Sequence, residues 1–257
     1  MNEIGDACLL RINVPVRTHG MKSARTPVVV MPVYEVMSRY FTRNRFMPHV
    51  QNAALLCPNF YEHPAVIKHG PQNCFPLRLF VDYAKLDNRQ SVLNITIAAV
   101  FDKRKIPVIS LHNRLICKCG CRGNHTTQVL MDYVAWLGQI FESGKWPAEN
   151  YYGLKWDAAS FRSQNAGDEL FNGARGVFTE IAADLDEFCK TFGFQDYRAK
   201  YGCIHCFKSK DQLKDYRTLG KKRTHNWFMQ TAMEALTVHN VDEDLAREVK
   251  KVCTSNV

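Results

Sequence analysis

Between Leu77 and Arg114 apolar runs alternate with short polar turns. Leu77–Tyr83 (LRLFVDY), Ser91–Phe101 (SVLNITIAAVF) and Ile106–Arg114 (IPVISLHNR) carry the β-branched and aromatic content of strands. The turns between them, Lys85–Gln90 and Asp102–Lys105, are too short for a parallel crossover, which predicts an antiparallel meander. The period then changes. Val129, Leu130, Tyr133, Val134, Trp136, Leu137 and Ile140 recur at helical spacing, which predicts a helix over Thr127–Phe141. A Gly/Asn/Asp-rich connector covers residues 143–176. Val177–Ala183 (VFTEIAA) reads as a strand, and Asp184 is suited to cap a helix that begins DEFCKTF. Residues 1–72 read as an irregular leader with one basic, aromatic helix at Tyr34–Arg45. Residues 73–210 form the predicted core, and residues 211–257 read as a basic linker followed by C-terminal helices.

This order, β–β–β–α–β–α, predicts an α/β fold with a mixed sheet of the ribonuclease-H-like type. In that fold carboxylates from the first and fourth strands meet at one edge of the sheet. Asp82 lies in an otherwise apolar strand, where a carboxylate is costly unless paired, metal-bound or at an open end. Taken singly, it reads as the start of a turn after a strand ending at Val81, and Asp184 reads as a helix N-cap. Taken together, the strand order would bring the two aspartates side by side. Two adjacent carboxylates repel one another and hold divalent metal well. Mg²⁺ or Mn²⁺ ions roughly 4 Å apart activate water or a 3′-hydroxyl in phosphodiester chemistry. Glu234 and Asp242-Glu243-Asp244 offer further acids at no diagnostic spacing.

Composition narrows the class. The 257 residues are 46% hydrophobic and 23% charged with modest Gly and Pro, which excludes collagen-like and disordered chains. No apolar run reaches the ~18 residues of a membrane span, and the acidic N-terminus is unlike a signal peptide. The reading is therefore a soluble, intracellular protein without a membrane partner. The net charge of +9 points to an anionic partner, most economically DNA. Between Phe207 and Arg223 the run of Lys208, Lys210, Lys214, Arg217, Lys221, Lys222 and Arg223 suits a phosphate backbone, and equally a solvated helix face.

Ten cysteines include two clusters, Cys117/Cys119/Cys121 with His125 four residues on, and Cys203-Ile-His-Cys206. Without a signal peptide such clusters read as metal ligands or reduced thiols rather than cross-links. C-x-x-C is the usual half-site for tetrahedral Zn²⁺, so one half-site from each cluster would make a structural Cys₄ zinc knuckle. Separate thiols, a redox C-x-x-C and a catalytic pair of Cys119 or Cys121 with His125 are the alternatives.

The blocks FYEHPAVIKHG, PLRLFVDYAKL, RLICKCGCRGNHTTQVLMDYVAWL, IAADLDEFCKTFGF and YGCIHCF, in this order over residues 59–210, resemble a repetitive protein family of dinoflagellate genomes. That family is similar to the DDE transposases of Plavaka and CACTA-type DNA transposons. The resemblance implies that Asp82 and Asp184 are the first two catalytic aspartates and that the five clustered cysteines fall in the family's cysteine-bearing segments. It further implies DNA strand cleavage and transfer in the nucleus, with no small-molecule substrate and with self-association left open. Two departures stand out. Asp82 is followed by Tyr-Ala rather than the commoner Gly-Thr/Ser turn, and the sequence stops at Val257, before the region of the family's final glutamate. A truncated, inactive relative or a non-catalytic zinc-stabilised DNA-binding or interaction protein is the alternative expectation.

Overall fold

The computed structural model describes residues 9–17, 23–41, 47, 49–50, 57, 60–85, 90–117, 119 and 123–183. The chain divides into two compact units, Met1–Thr191 and Phe192–Val257, and all described residues belong to the first. That unit is a mixed α/β structure around a four-stranded sheet.

The meander forms as its alternation predicts. Strands β3 (Cys74–Lys85), β4 (Ser91–Ala99) and β5 (Ile106–His112) follow a small hairpin, β1 (Leu10–Arg17) and β2 (Ser23–Val30). In β3 the side chains of Leu77, Leu79 and Val81 are buried while Arg78, Phe80 and Asp82 face the more open side, the period-2 pattern of a sheet with one covered face. Leu93, Ile95 and Ile97 do the same in β4. A bulge interrupts the β4–β5 register, since Ile95 pairs with Ile109 but Thr96 with Pro107. The intervening Val108 turns its carbonyl to accept a 2.8 Å hydrogen bond from the Met31 amide, which ties the exit of β2 to β5.

Strand β6 (Arg175–Ala183) returns parallel to β3, which gives the order β5-β4-β3-β6. The intervening long helix runs Asn124–Ser143, with shorter helices at Val33–Tyr40, Pro64–His69 and Phe161–Gln164; in chain order these are α1 (Val33–Tyr40), α2 (Pro64–His69), α3 (Asn124–Ser143) and α4 (Phe161–Gln164). Helix α3 buries Leu130, Tyr133, Val134, Leu137, Ile140 and Phe141, one apolar stripe at 3- and 4-residue spacing. It ends at Gly144, whose φ of +65° is the left-handed conformation that terminates helices.

Gly176 of β6 sits close against its neighbours. A Cβ there would lie 2.8 Å from Leu77 Cδ1, 3.0 Å from Phe141 Cδ1 and 3.1 Å from Phe75 Cζ. Gly176→Ala therefore overpacks the centre of the unit and is expected to cost about 1–3 kcal/mol, read as a lowered urea midpoint at unchanged slope.

Two expectations are corrected. Within the expected irregular leader, β1 and β2 form a regular hairpin that pairs antiparallel from Leu10↔Val30 to Arg17↔Ser23 and buries Ile12, Val14 and Val16. Pro15 and Pro27 obscure this in the sequence, yet a two-stranded sheet has free edges that tolerate proline. Strand β3 also does not end at Val81; it continues to Lys85, so Asp82 is a strand residue rather than the start of a turn.

Candidate metal centre and carboxylate edge

After β5 the chain makes one 3-10 turn (Asn113–Leu115), and Ile116 then forms an antiparallel bridge with Val16 of β1. The Cys117 amide donates a 2.9 Å hydrogen bond to Thr126 Oγ1, whose hydroxyl donates to the Pro15 carbonyl at 2.5 Å. Thr126 is fully buried, so this polar relay is shielded from water and holds its geometry. Gly123, at φ +95°, turns the chain into α3, and a side chain there would sit 2.8 Å from Ile116 Cγ2. The turn brings His125, in the first turn of α3, back onto the cysteines.

Cys117 Sγ lies 3.3 Å from Cys119 Sγ and 3.9 Å from His125 Nδ1, while Cys119 Sγ lies 3.2 Å from His125 Nδ1. Cys117 is buried, whereas Cys119 and His125 are exposed. Metal–sulfur bonds of about 2.3 Å and metal–nitrogen bonds of about 2.0 Å at tetrahedral angles separate ligand atoms by roughly 3.5–3.8 Å. The observed triangle falls around that range, so one metal ion could be held with shifts of a few tenths of an ångström. Among the described residues this is the group of three Cys, His, Asp or Glu side chains able to hold an ion. Cys121, Cys203 and Cys206 lie outside the described residues. The sequence by itself offers His125 as a catalytic partner of Cys119 or Cys121. The signal for a ligand is its place four residues past Cys121.

Asp82 is exposed on β3, opposite Asn94 of β4. Asn94 in turn faces Ser110 of β5, whose hydroxyl donates to Asn94 Oδ1 at 2.7 Å, so a polar row crosses the open face of the sheet. On the other side of β3 the last residue of β6, Ala183, pairs with Val81. Asp184 lies outside the described residues, as do Lys208, Lys210, Lys214, Arg217, Lys221, Lys222 and Arg223. The open face is basic and aromatic next to Asp82: the Lys105 ammonium sits 4.0 Å from the centre of the Phe80 ring and the Arg78 guanidinium 5.7 Å from it.

Farther along β3, Arg78 forms an ion pair with Glu180 of β6, and Cys57 Sγ donates to Glu180 Oε1 at 2.9 Å. Burial alone would raise the Glu180 carboxyl, but the hydrogen bonds from Arg78 and Cys57 and the Arg78 charge outweigh it and hold the group below its ordinary value. Burial first, and the bond to Glu180 second, push the Cys57 thiol up to about 11. A lowered Glu180 stabilises the fold above its unfolded value near pH 4.3, and that contribution fades as pH falls through the folded value. A raised Cys57 acts in reverse, so stability declines as the unfolded thiol ionises above about pH 8.5. The thermal midpoint should therefore fall on both sides of a neutral plateau, with the alkaline fall reduced in Cys57→Ala; an unchanged alkaline limb would reject the assignment.

A cleft of about 480 Å³ is lined by Glu35, Arg39, Ser160, Phe161 and Arg162. At its floor Glu35, 2% exposed, accepts a hydrogen bond from Arg162 Nε at 2.5 Å and one from Tyr34 Oη at 3.2 Å. Nothing in the local pattern around Glu35 or Arg162 signals this pairing.

Compared with protein-family models, with curated proteins and with solved structures, the chain matches none.

Proposed function

We propose that the chain carries a ribonuclease-H-like core that cleaves or joins DNA strands, with Asp82 and Asp184 as the carboxylates that hold Mg²⁺ or Mn²⁺. The observation that carries this reading is the register of the central strands. An antiparallel meander, a helix and a parallel return strand place Ala183 beside Val81. Asp184, the next residue in the chain, is the second carboxylate of this proposal. Asp82 offers hard oxygen donors at an exposed position, the ligand type these cations take. Divalent cations bound there would activate a water or 3′-hydroxyl and stabilise the leaving oxygen. Lys105, on the same face as Asp82, is suited to meet the phosphates of the bound strand, and the net charge of +9 favours DNA as the partner. The resemblance to DDE transposases of mobile DNA elements agrees with this chemistry and with a nuclear location.

The thiol and imidazole donors of Cys117, Cys119 and His125 select a different metal. Two soft sulfurs with one borderline nitrogen suit Zn²⁺, whose tetrahedron a water would complete.

One observation favours a second reading, a zinc-stabilised DNA-binding or interaction domain without catalysis. Among the described residues Asp82 belongs to no group of three ligands, and its row neighbours are Asn94 and Ser110. Nicking of supercoiled plasmid with Mg²⁺ or Mn²⁺, beside a gel-shift assay on the same DNA, separates the two. Metal-dependent nicking supports the first reading, and binding without nicking leaves the second.

A further inference from the structure

We propose that Cys117, Cys119 and His125 hold their zinc locally, and that the ion staples the N-terminal hairpin to the start of α3 without help from Cys203 and Cys206. This rests on the zinc part of the reading above and is independent of strand cleavage.

The three ligand atoms converge within 4.8 Å of one another inside one short segment, Cys117–His125. The segment is braced from both ends. Ile116, one residue before the first ligand, bridges to Val16 of β1. Thr126, one residue after the last, receives the Cys117 amide and donates to the Pro15 carbonyl of the same strand. A metal that fixes Cys117 against His125 therefore fixes the two residues that grip β1. The hairpin has its own internal ladder, but a two-stranded sheet is marginal in water and depends on such anchoring. The expected Cys₄ site would have to gather ligands about eighty residues apart in sequence. The local set needs only a turn, and the left-handed Gly123 supplies it.

The test uses the full chain, reduced and stripped of metal by a chelator, then titrated with Co²⁺ as a spectroscopic stand-in for Zn²⁺. Wild type should bind one Co²⁺ with thiolate-to-metal charge-transfer absorption that Zn²⁺ bleaches. Cys119→Ser and His125→Ala, both at exposed positions where folding is least at risk, should each weaken binding at least ~100-fold, because outer-shell partners alone are worth 10–100-fold. The double variant Cys203→Ser/Cys206→Ser should bind as wild type does. In parallel, chelation should speed tryptic loss of the residues before Val33 by on the order of 10-fold, as exposed by local opening, and Cys119→Ser should show that rate without chelator.

A wild-type chain that binds no cobalt overturns the zinc reading and the staple together. Binding that depends on Cys203 and Cys206, or that survives Cys119→Ser and His125→Ala, overturns the local site alone. Proteolysis unaffected by chelation overturns the staple.

Discussion

Asp82→Asn is expected to lower Mg²⁺-dependent nicking by about 10³-fold or more, the loss that follows when a carboxylate ligand no longer neutralises a metal worth several kcal/mol of transition-state stabilisation. The substitution keeps size and hydrogen-bonding shape but removes the charge. Asp82 is exposed in mid-strand opposite Asn94, so the fold should move by no more than about 0.5 kcal/mol. An unchanged thermal midpoint beside a lost activity would separate chemistry from folding. Asp184→Asn should match it, and Glu62→Gln, an exposed acid beside α2, should nick like wild type. DNA binding measured without divalent metal should survive in all three, because the proposal assigns the phosphate contacts to basic residues and not to these acids. Nicking by Asp82→Asn at the wild-type rate would remove the two-metal reading and leave a binding domain.

Arg162→Met should be the most destabilising single change among the described residues outside the apolar core, at about 3–5 kcal/mol. Its partner Glu35 sits on α1 with a side chain only 3% exposed, and the Arg162 side chain is 16% exposed. Removing the guanidinium strands a carboxylate with the Tyr34 hydroxyl as its remaining donor among the described residues, and that neutral bond does not repay the lost solvation. Trp156, whose ring centre lies 5.1 Å from the guanidinium carbon, loses its cover as well. The size matters because a domain of this kind is held by only about 5–15 kcal/mol in total. Glu35→Gln combined with Arg162→Met should recover a large part of the loss, since no charge is then left unpaired. Urea unfolding of the two singles and the double gives the coupling directly; a single-variant loss under about 0.5 kcal/mol would show that the pair is solvated and carries no structural role.

These two sites differ in how far the linear chain announces them. Asp82 is visible because an acid breaks an otherwise apolar strand, and the turns around it are short enough to force an antiparallel meander. Its real position was only half legible, however. Alternation alone allows a strand that ends at Val81, and pairing with β4 out to Lys85↔Ser91 is what carries β3 on. Glu35 and Arg162 are invisible in this sense, since the residues that pair are 127 positions apart. The thiol site falls between. Cys117 and Cys119 are conspicuous as a spacing, but His125 becomes a neighbour only because Gly123 folds the chain back at positive φ.

The amino-acid sequence by itself determined the meander, the long helix and the return strand, because each is written in a local burial period of 2 or 3.6 that survives any detail of packing. It also determined which residue types are available for metal and phosphate. Only the tertiary structure decided that residues 10–30 form a hairpin, that His125 joins two cysteines, and that a buried carboxylate on α1 meets an arginine on α4. Those outcomes depend on which surfaces come together, and the free energy of bringing distant groups into contact has no periodic trace along the chain.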